Sequence, residues 1–217
     1  MVEFNIWQIA LVYTLGMLTP GPNFFLILSN GVTYGRGAGL STALGVVLGT
    51  LFWIVLSLFG IALLIKSSPT LFIGLKLLGG GYLVYISLKK FKIIINNKKV
   101  NSPNQVKAPN GKSLGYIQQF IQGLMANVFN PKSLLFWLAI FSSLPLIVGN
   151  HLTQYAFIIT VVITISLTYH TSLALFASEM GQRLTSSACS TGINLVAASV
   201  FLIFGLSILI GLLQALL

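Results

Sequence analysis

Two short segments carry the residues best suited to chemistry. Thr19-Pro20-Gly21-Pro22-Asn23 and Asn130-Pro131-Lys132 each set proline beside asparagine inside a long apolar stretch, 111 residues apart from Pro20 to Pro131. Proline removes a backbone donor and glycine adds conformational freedom, so neither stretch is expected to be one continuous helix. Helical halves restarting near Asn23 and Ser133 would present free N–H groups and a positive dipole end, which suit a carboxylate. Asn23, Asn127 and Asn130 can hydrogen-bond either a ligand or unwound backbone. Lys76 and Lys132 are the two cations within apolar stretches, and the chain contains no Asp. A substrate carboxylate is one partner for them; snorkelling to the interface is the alternative. His170 either carries a proton or is a histidine hydrogen-bonded to Ser166 or Thr171. One proline break alone is a kink that packed membrane helices tolerate. Two at matching positions, each flanked by Asn, read as a substrate site.

The elements that must position these residues are membrane spans. Apolar residues make up 56% of the 217 and charged residues only 6%, against about 25% charged in ordinary soluble domains. The single cysteine, Cys189, allows no internal disulfide and no cysteine metal site. Met1 to Leu18 lacks the basic start of a secretory signal and reads as part of a retained first span. Six stretches have the length of about 20 apolar residues that a bilayer requires: Phe4–Val32, Leu40–Ile65, Thr70–Leu88, Leu114–Val148, Leu152–Ser178 and Gly192–Leu217. The first and fourth are the long ones, 29 and 35 residues, or roughly 43 and 52 Å as continuous helix. They are also the two with the breaks. Each opens a three-span half, and halves with an odd number of spans must run in opposite directions through the membrane. The expected fold is therefore an all-α integral membrane protein of six transmembrane helices. They form two inverted three-helix repeats, with helices one and four broken at proline.

Positive residues set the orientation, because they gather in cytoplasmic loops. Lys89, Lys90, Lys92, Lys98, Lys99, Lys107 and Lys112 lie between spans three and four with no acid among them. Placing that loop inside also places Arg36 and Arg183 inside, leaves Lys66 outside, and puts both termini outside. The loop, about residues 89–112, reads as a hydrophilic linker joining halves 1–95 and 113–217 of one transport domain, 1–217. Selection for insertion explains its charge better than binding of acidic lipid or nucleic acid does; membrane lipid is a partner of the whole chain, and nucleic acid is not expected. Gly45 and Gly49 have the spacing for close helix contact, read as internal packing. Glu179 and Arg183 read as an interfacial pair.

The ordered set of motifs resembles the lysine exporter (LysE/RhtB) family of small bacterial amino-acid exporters over nearly the whole chain. It comprises Thr19-Pro20-Gly21-Pro22-Asn23-Phe24, Gly31, Gly35, Gly37, Gly39, Gly45 and Gly49. Leu75-Lys76, Gly79-Gly80-Gly81-Tyr82-Leu83, Phe120, Gly123, Asn127, Asn130-Pro131-Lys132 and Phe136 complete it. The resemblance implies export of amino acids or their derivatives, a place in the bacterial cytoplasmic membrane, use of the proton gradient, and frequently a homodimer. Gly81 departs from the pattern, where the family often has alanine. The match after Phe141 is too loose to carry single residues over.

Other functions fit less well. An intramembrane enzyme needs a nucleophile with its base or a metal cluster, and the chain offers no Asp, no HExxH, and only His151 and His170. A metal-ion or other small-solute exporter or channel of related architecture is the alternative. Cation pathways, however, present acidic rings or carbonyl filters, whereas two lysines lie within these spans. No phosphate-binding loop for ATP occurs, and no cofactor is expected. The site expected from the sequence is Pro20, Gly21, Pro22, Asn23, Lys76, Asn127, Asn130, Pro131 and Lys132, with His170 as the candidate proton carrier.

Overall fold

A computed structural model describes residues 6–58, 68–99, 115–130, 132–134, 136–137, 152–183 and 187–216. Pro131, Glu3, Lys66, His151 and the stretch 100–114 lie outside the described residues, as does the Cys189 side chain. The described residues form helices and no strand. These are α1 (Ile6–Leu18), α2 (Pro22–Tyr34), α3 (Arg36–Leu58), α4 (Pro69–Lys99), α5 (Tyr116–Val128), α6 (Leu152–Arg183) and α7 (Ser187–Leu216). A short helical piece resumes at Lys132 after α5.

Among the described residues, three helices are long and apolar enough to cross a bilayer: α3 over Arg36–Leu56, α6 over Tyr155–Arg183 and α7 over Thr191–Gln214. Helices α1 and α2 qualify together as one bent pair, turned by 57° at the first proline segment. Their outward faces are apolar, with Ile203, Ile210 and Leu213 on α7 more than half exposed. Water would penalise such a surface and hydrocarbon does not. The chain is a multi-pass membrane protein.

Helix α2 is the hub. Its 13 residues pack against α3, α5, α6 and α7, burying Leu26 against Leu83, Ile86 and Phe201. Ile27, on an adjacent face, meets Ala43, Val46 and Ala174. Lipid supplies no hydrophobic drive between helices, so contact depends on close approach of backbones. Small residues provide it. A Cβ on Gly45 of α3 would overlap the Phe120 carbonyl oxygen of α5, and one on Gly123 would overlap the Thr42 carbonyl oxygen. Gly31 and Ala177 join α2 to α6, and Gly80 and Gly205 join α4 to α7, in the same way. The Gly45–Gly49 spacing therefore serves packing between α3 and α5 within the chain. Gly35 ends α2 with φ +85°, a conformation only glycine adopts without strain, and α3 starts at the next residue.

The turn at Gly35, the start of α5 and the end of α6 lie at one end of the bundle. Ser41 hydrogen-bonds the Tyr116 carbonyl there, and Gly181 fits against Val32. With Arg36 and Arg183 this forms a basic end. Arg183 Nε donates to Glu179 Oε1 at 2.9 Å, the exposed pair expected from the spacing.

Candidate functional site between the two helix breaks

At the first break Gly21 is extended (φ −148°, ψ −171°) and Pro22 occupies the first turn of α2. The cap has no side chain, so the Asn23 and Phe24 N–H groups have no side-chain acceptor at that terminus. At the second break Asn130 acts as the cap. Its Oδ1 accepts the Lys132 N–H at 3.0 Å, and its carbonyl accepts the Leu134 N–H at 3.0 Å. Gly79 of α4 lies so close to Phe129 that a Cβ there would overlap the Phe129 carbonyl oxygen. The second break is thereby held from behind.

Each break is completed by residues of the other. Lys132 Nζ donates to the Thr19 carbonyl at 2.7 Å and to the Gly16 carbonyl at 3.1 Å. A cation thus meets the orphan carbonyls and negative dipole end of α1. Asn23 Nδ2 donates to Asn127 Oδ1 at 3.1 Å, and Ser133 Oγ donates to the same oxygen at 2.6 Å.

Asn127, 2% exposed, is saturated. Its Nδ2 donates to the Val46 carbonyl at 2.6 Å and to Thr50 Oγ1 at 2.9 Å, while Trp53 Nε1 donates to its carbonyl at 3.2 Å. The Val46 carbonyl can only accept, so the Asn127 amide has one orientation and its Oδ1 must face Asn23 and Ser133. Asn23 must then present its nitrogen. That leaves Asn23 Oδ1 a buried acceptor without a hydrogen-bond partner. A polar atom so placed costs about 1–3 kcal/mol, and a ligand bearing N–H groups would satisfy it.

A cavity of about 80 Å³ lies between the breaks. That is room for several waters, the scale of a small amino acid. Gly21, Asn23, Asn130, Lys132 and Ser133 line it from the breaks, and Asn127 and Thr50 from beneath. Tyr13, Phe136 and Trp137 form an aromatic wall, and Tyr169 and His170 also line the cavity. His170 Nδ1 donates to the Ser166 carbonyl at 2.9 Å, the Ser166 alternative of the sequence reading, which leaves Nε2 as the second titrating atom. Tyr13, buried on α1, lies near Ser166 and Thr50. His170 and Asn127 line one cavity, each with its own hydrogen-bond partners.

Six of the residues singled out in the sequence line this cavity: Gly21, Asn23, Asn127, Asn130, Lys132 and His170. Pro20 and Pro22 shape its first break without lining it. Lys76 is half-buried on α4 and is not part of the lining. Tyr13, Thr50 and Tyr169 were missed, because hydroxyls scattered in apolar helices carry no spacing signal. Among the described lining residues the one fixed charge is the Lys132 ammonium, and no carboxylate is present.

The family model for the LysE type translocator matches residues 14–212. An uncharacterized membrane protein of Haemophilus influenzae is 30% identical over 203 residues, 91% of this chain and 92% of that protein. The threonine efflux protein of Escherichia coli K12 is 25% identical over 204 residues, 93% of this chain and 96% of that protein. An uncharacterized membrane protein of Pseudomonas aeruginosa is 33% identical over 137 residues, 63% of this chain and 62% of that relative's length. No solved structure matches the chain.

Proposed function

The chain belongs to the LysE type translocator family, and from that premise we propose that it exports small neutral amino acids across the bacterial cytoplasmic membrane. One observation carries the substrate class. The cavity between the breaks holds a single cation and an orphan acceptor, with no carboxylate among its described residues. A zwitterion satisfies both groups. Its carboxylate is taken by the uncapped Asn23 and Phe24 amides with Lys132 nearby, and its ammonium by Asn23 Oδ1. Asn127, already saturated, holds Asn23 in place rather than binding substrate. A cationic amino acid would add an ammonium with nothing to neutralise it, at a cost of several kcal/mol when desolvated. The relative named for threonine efflux supports a substrate of this size.

Six crossings in two inverted halves, with the basic end cytoplasmic, accommodate the packing. Helix α3 packs on α5 as α6 packs on α2, and α4 pairs with α7. His170, which lines the same cavity as Asn23 and Lys132, is the group to couple export to the proton gradient. Flux in proteoliposomes with a panel of neutral, acidic and basic amino acids and divalent metal cations tests this reading. Neutral amino acids should be carried. Transport confined to metal cations, or to lysine and arginine, would overturn it.

A further inference from the structure

A second polar cluster is buried about 9 Å further along α2, six residues beyond Asn23 at 1.5 Å each. Lys90, half-buried on α4, places Nζ 2.8 Å from Ser29 Oγ on α2 and 3.4 Å from Asn194 Oδ1 on α7. Ser29 is wholly buried and its hydroxyl donates to the Leu26 carbonyl at 3.1 Å, so its oxygen accepts from the lysine. Asn194 Nδ2 donates to Thr33 Oγ1 at 2.7 Å, which turns Oδ1 toward the ammonium. Neutral oxygens from two other helices thus hold this cation.

The surrounding charge is all of one sign. Neither α2 nor α7 contains a charged residue, and the charges flanking Lys90 on α4 are Lys89 and Lys92. Arg36 lies at the same end. Glu179 is engaged with Arg183, and Glu3 is the only other side-chain carboxylate in the sequence. On the adjacent flank of α2, buried Asn30 donates to Thr42 Oγ1 at 2.9 Å and reaches Gln122 Oε1 at 3.5 Å. One turn nearer the basic end of α5, Gln119 is 1% exposed and its Oε1 has no hydrogen-bond partner.

An ionisable residue held between helices of a membrane bundle signals function. These groups have a use if α2 moves. It is bounded by Gly21 at one end and by Gly35, with its positive φ, at the other. We propose that this cluster is an inner docking site for the amino acid, closed in this structure, where Lys90 Nζ takes the carboxylate as the substrate comes from the cytoplasm. In the closed state Ser29 and Asn194 stand in for that carboxylate. A phospholipid headgroup, tied to two acyl chains, does not reach between three helices to a wholly buried serine; a free carboxylate is small enough to do so once α2 moves. The inference rests on the exporter reading above.

The test uses the full-length protein in everted and right-side-out membrane vesicles with radiolabelled L-threonine. Lys90→Met should raise the half-saturating concentration at the cytoplasmic face about tenfold or more and leave that at the outer face unchanged. Lys90→Arg should restore most of the loss, and Ser29→Ala should show a smaller rise at the same face. L-threonine methyl ester, which lacks the carboxylate, should compete equally well with wild type and Lys90→Met. An unchanged cytoplasmic half-saturation overturns the site, as does an equal loss at both faces with lowered thermal stability. An effect that vanishes in liposomes without anionic lipid assigns Lys90 to a headgroup instead. Wild-type protein that moves no amino acid in the panel overturns the exporter reading, and this site with it.

Discussion

Asn23 and Asn127 are 104 positions apart in sequence and 3.1 Å apart in space, amide nitrogen to amide oxygen. This bond joins the restart of one broken helix to the residue preceding the other break. Because Asn127 is fixed by Val46 and Thr50, the bond decides which atom Asn23 leaves free. Structure and binding are thus divided between two asparagines: Asn127 builds the floor, and Asn23 stands on it with an acceptor unfilled.

That division predicts different losses. Asn127→Ala strands Ser133, Thr50 and the Asn23 nitrogen, and should destabilise the protein by about 2–3 kcal/mol. A clear fall in melting temperature in detergent checks it. Asn23→Ala removes one hydrogen bond together with an orphan acceptor, so its melting temperature should stay near wild type.

The close helix crossings predict a steric pattern among the glycines. Gly45→Leu and Gly123→Leu push a side chain into the facing backbone and should sharply reduce folded protein in the membrane. Gly81→Ala and Gly192→Ala face open space and should be neutral. Yield and monodispersity of a fluorescent fusion would read the difference.

Much of this was legible in the sequence, for physical reasons that differ by residue. Pro20, Pro22 and Pro131 announced the breaks because proline cannot donate within a helix. Asn23, Asn130 and Lys132 stood out because polar groups at membrane depth are costly. The exchange of partners between the breaks was not legible, since Lys132 meets the end of α1 through a contact 113 positions away. Lys76 and Lys90 show the same limit. Lys76 looked intramembrane and does not line the cavity, whereas Lys90, one of seven loop-side lysines, is seated among three helices. Sequence displays depth and composition; which face of a helix meets which neighbour follows only from packing.

The orientation makes a labelling prediction. With Cys189→Ser as background, Asn104→Cys should resist a membrane-impermeant maleimide in intact cells and react after permeabilisation. Labelling in intact cells would reverse the proposed topology.

Coupling gives another. His170→Gln preserves a polar ring substitute but cannot carry a proton, so exchange of labelled for unlabelled amino acid should persist. Accumulation driven by an imposed pH gradient should be lost. Undiminished accumulation would remove His170 from the coupling path.

The most direct test of the central claim, that the amino acid is held between the breaks, is initial efflux rate per molecule of protein in the membrane. Asn23→Ala and Lys132→Ala should each lower it at least about tenfold, equivalent to about 1.4 kcal/mol, at wild-type abundance. Lys98→Ala and Lys99→Ala, in the basic segment after span three, should leave it near wild type. If Lys98→Ala and Lys99→Ala abolish efflux while Asn23→Ala and Lys132→Ala leave it intact, the substrate does not bind between the breaks.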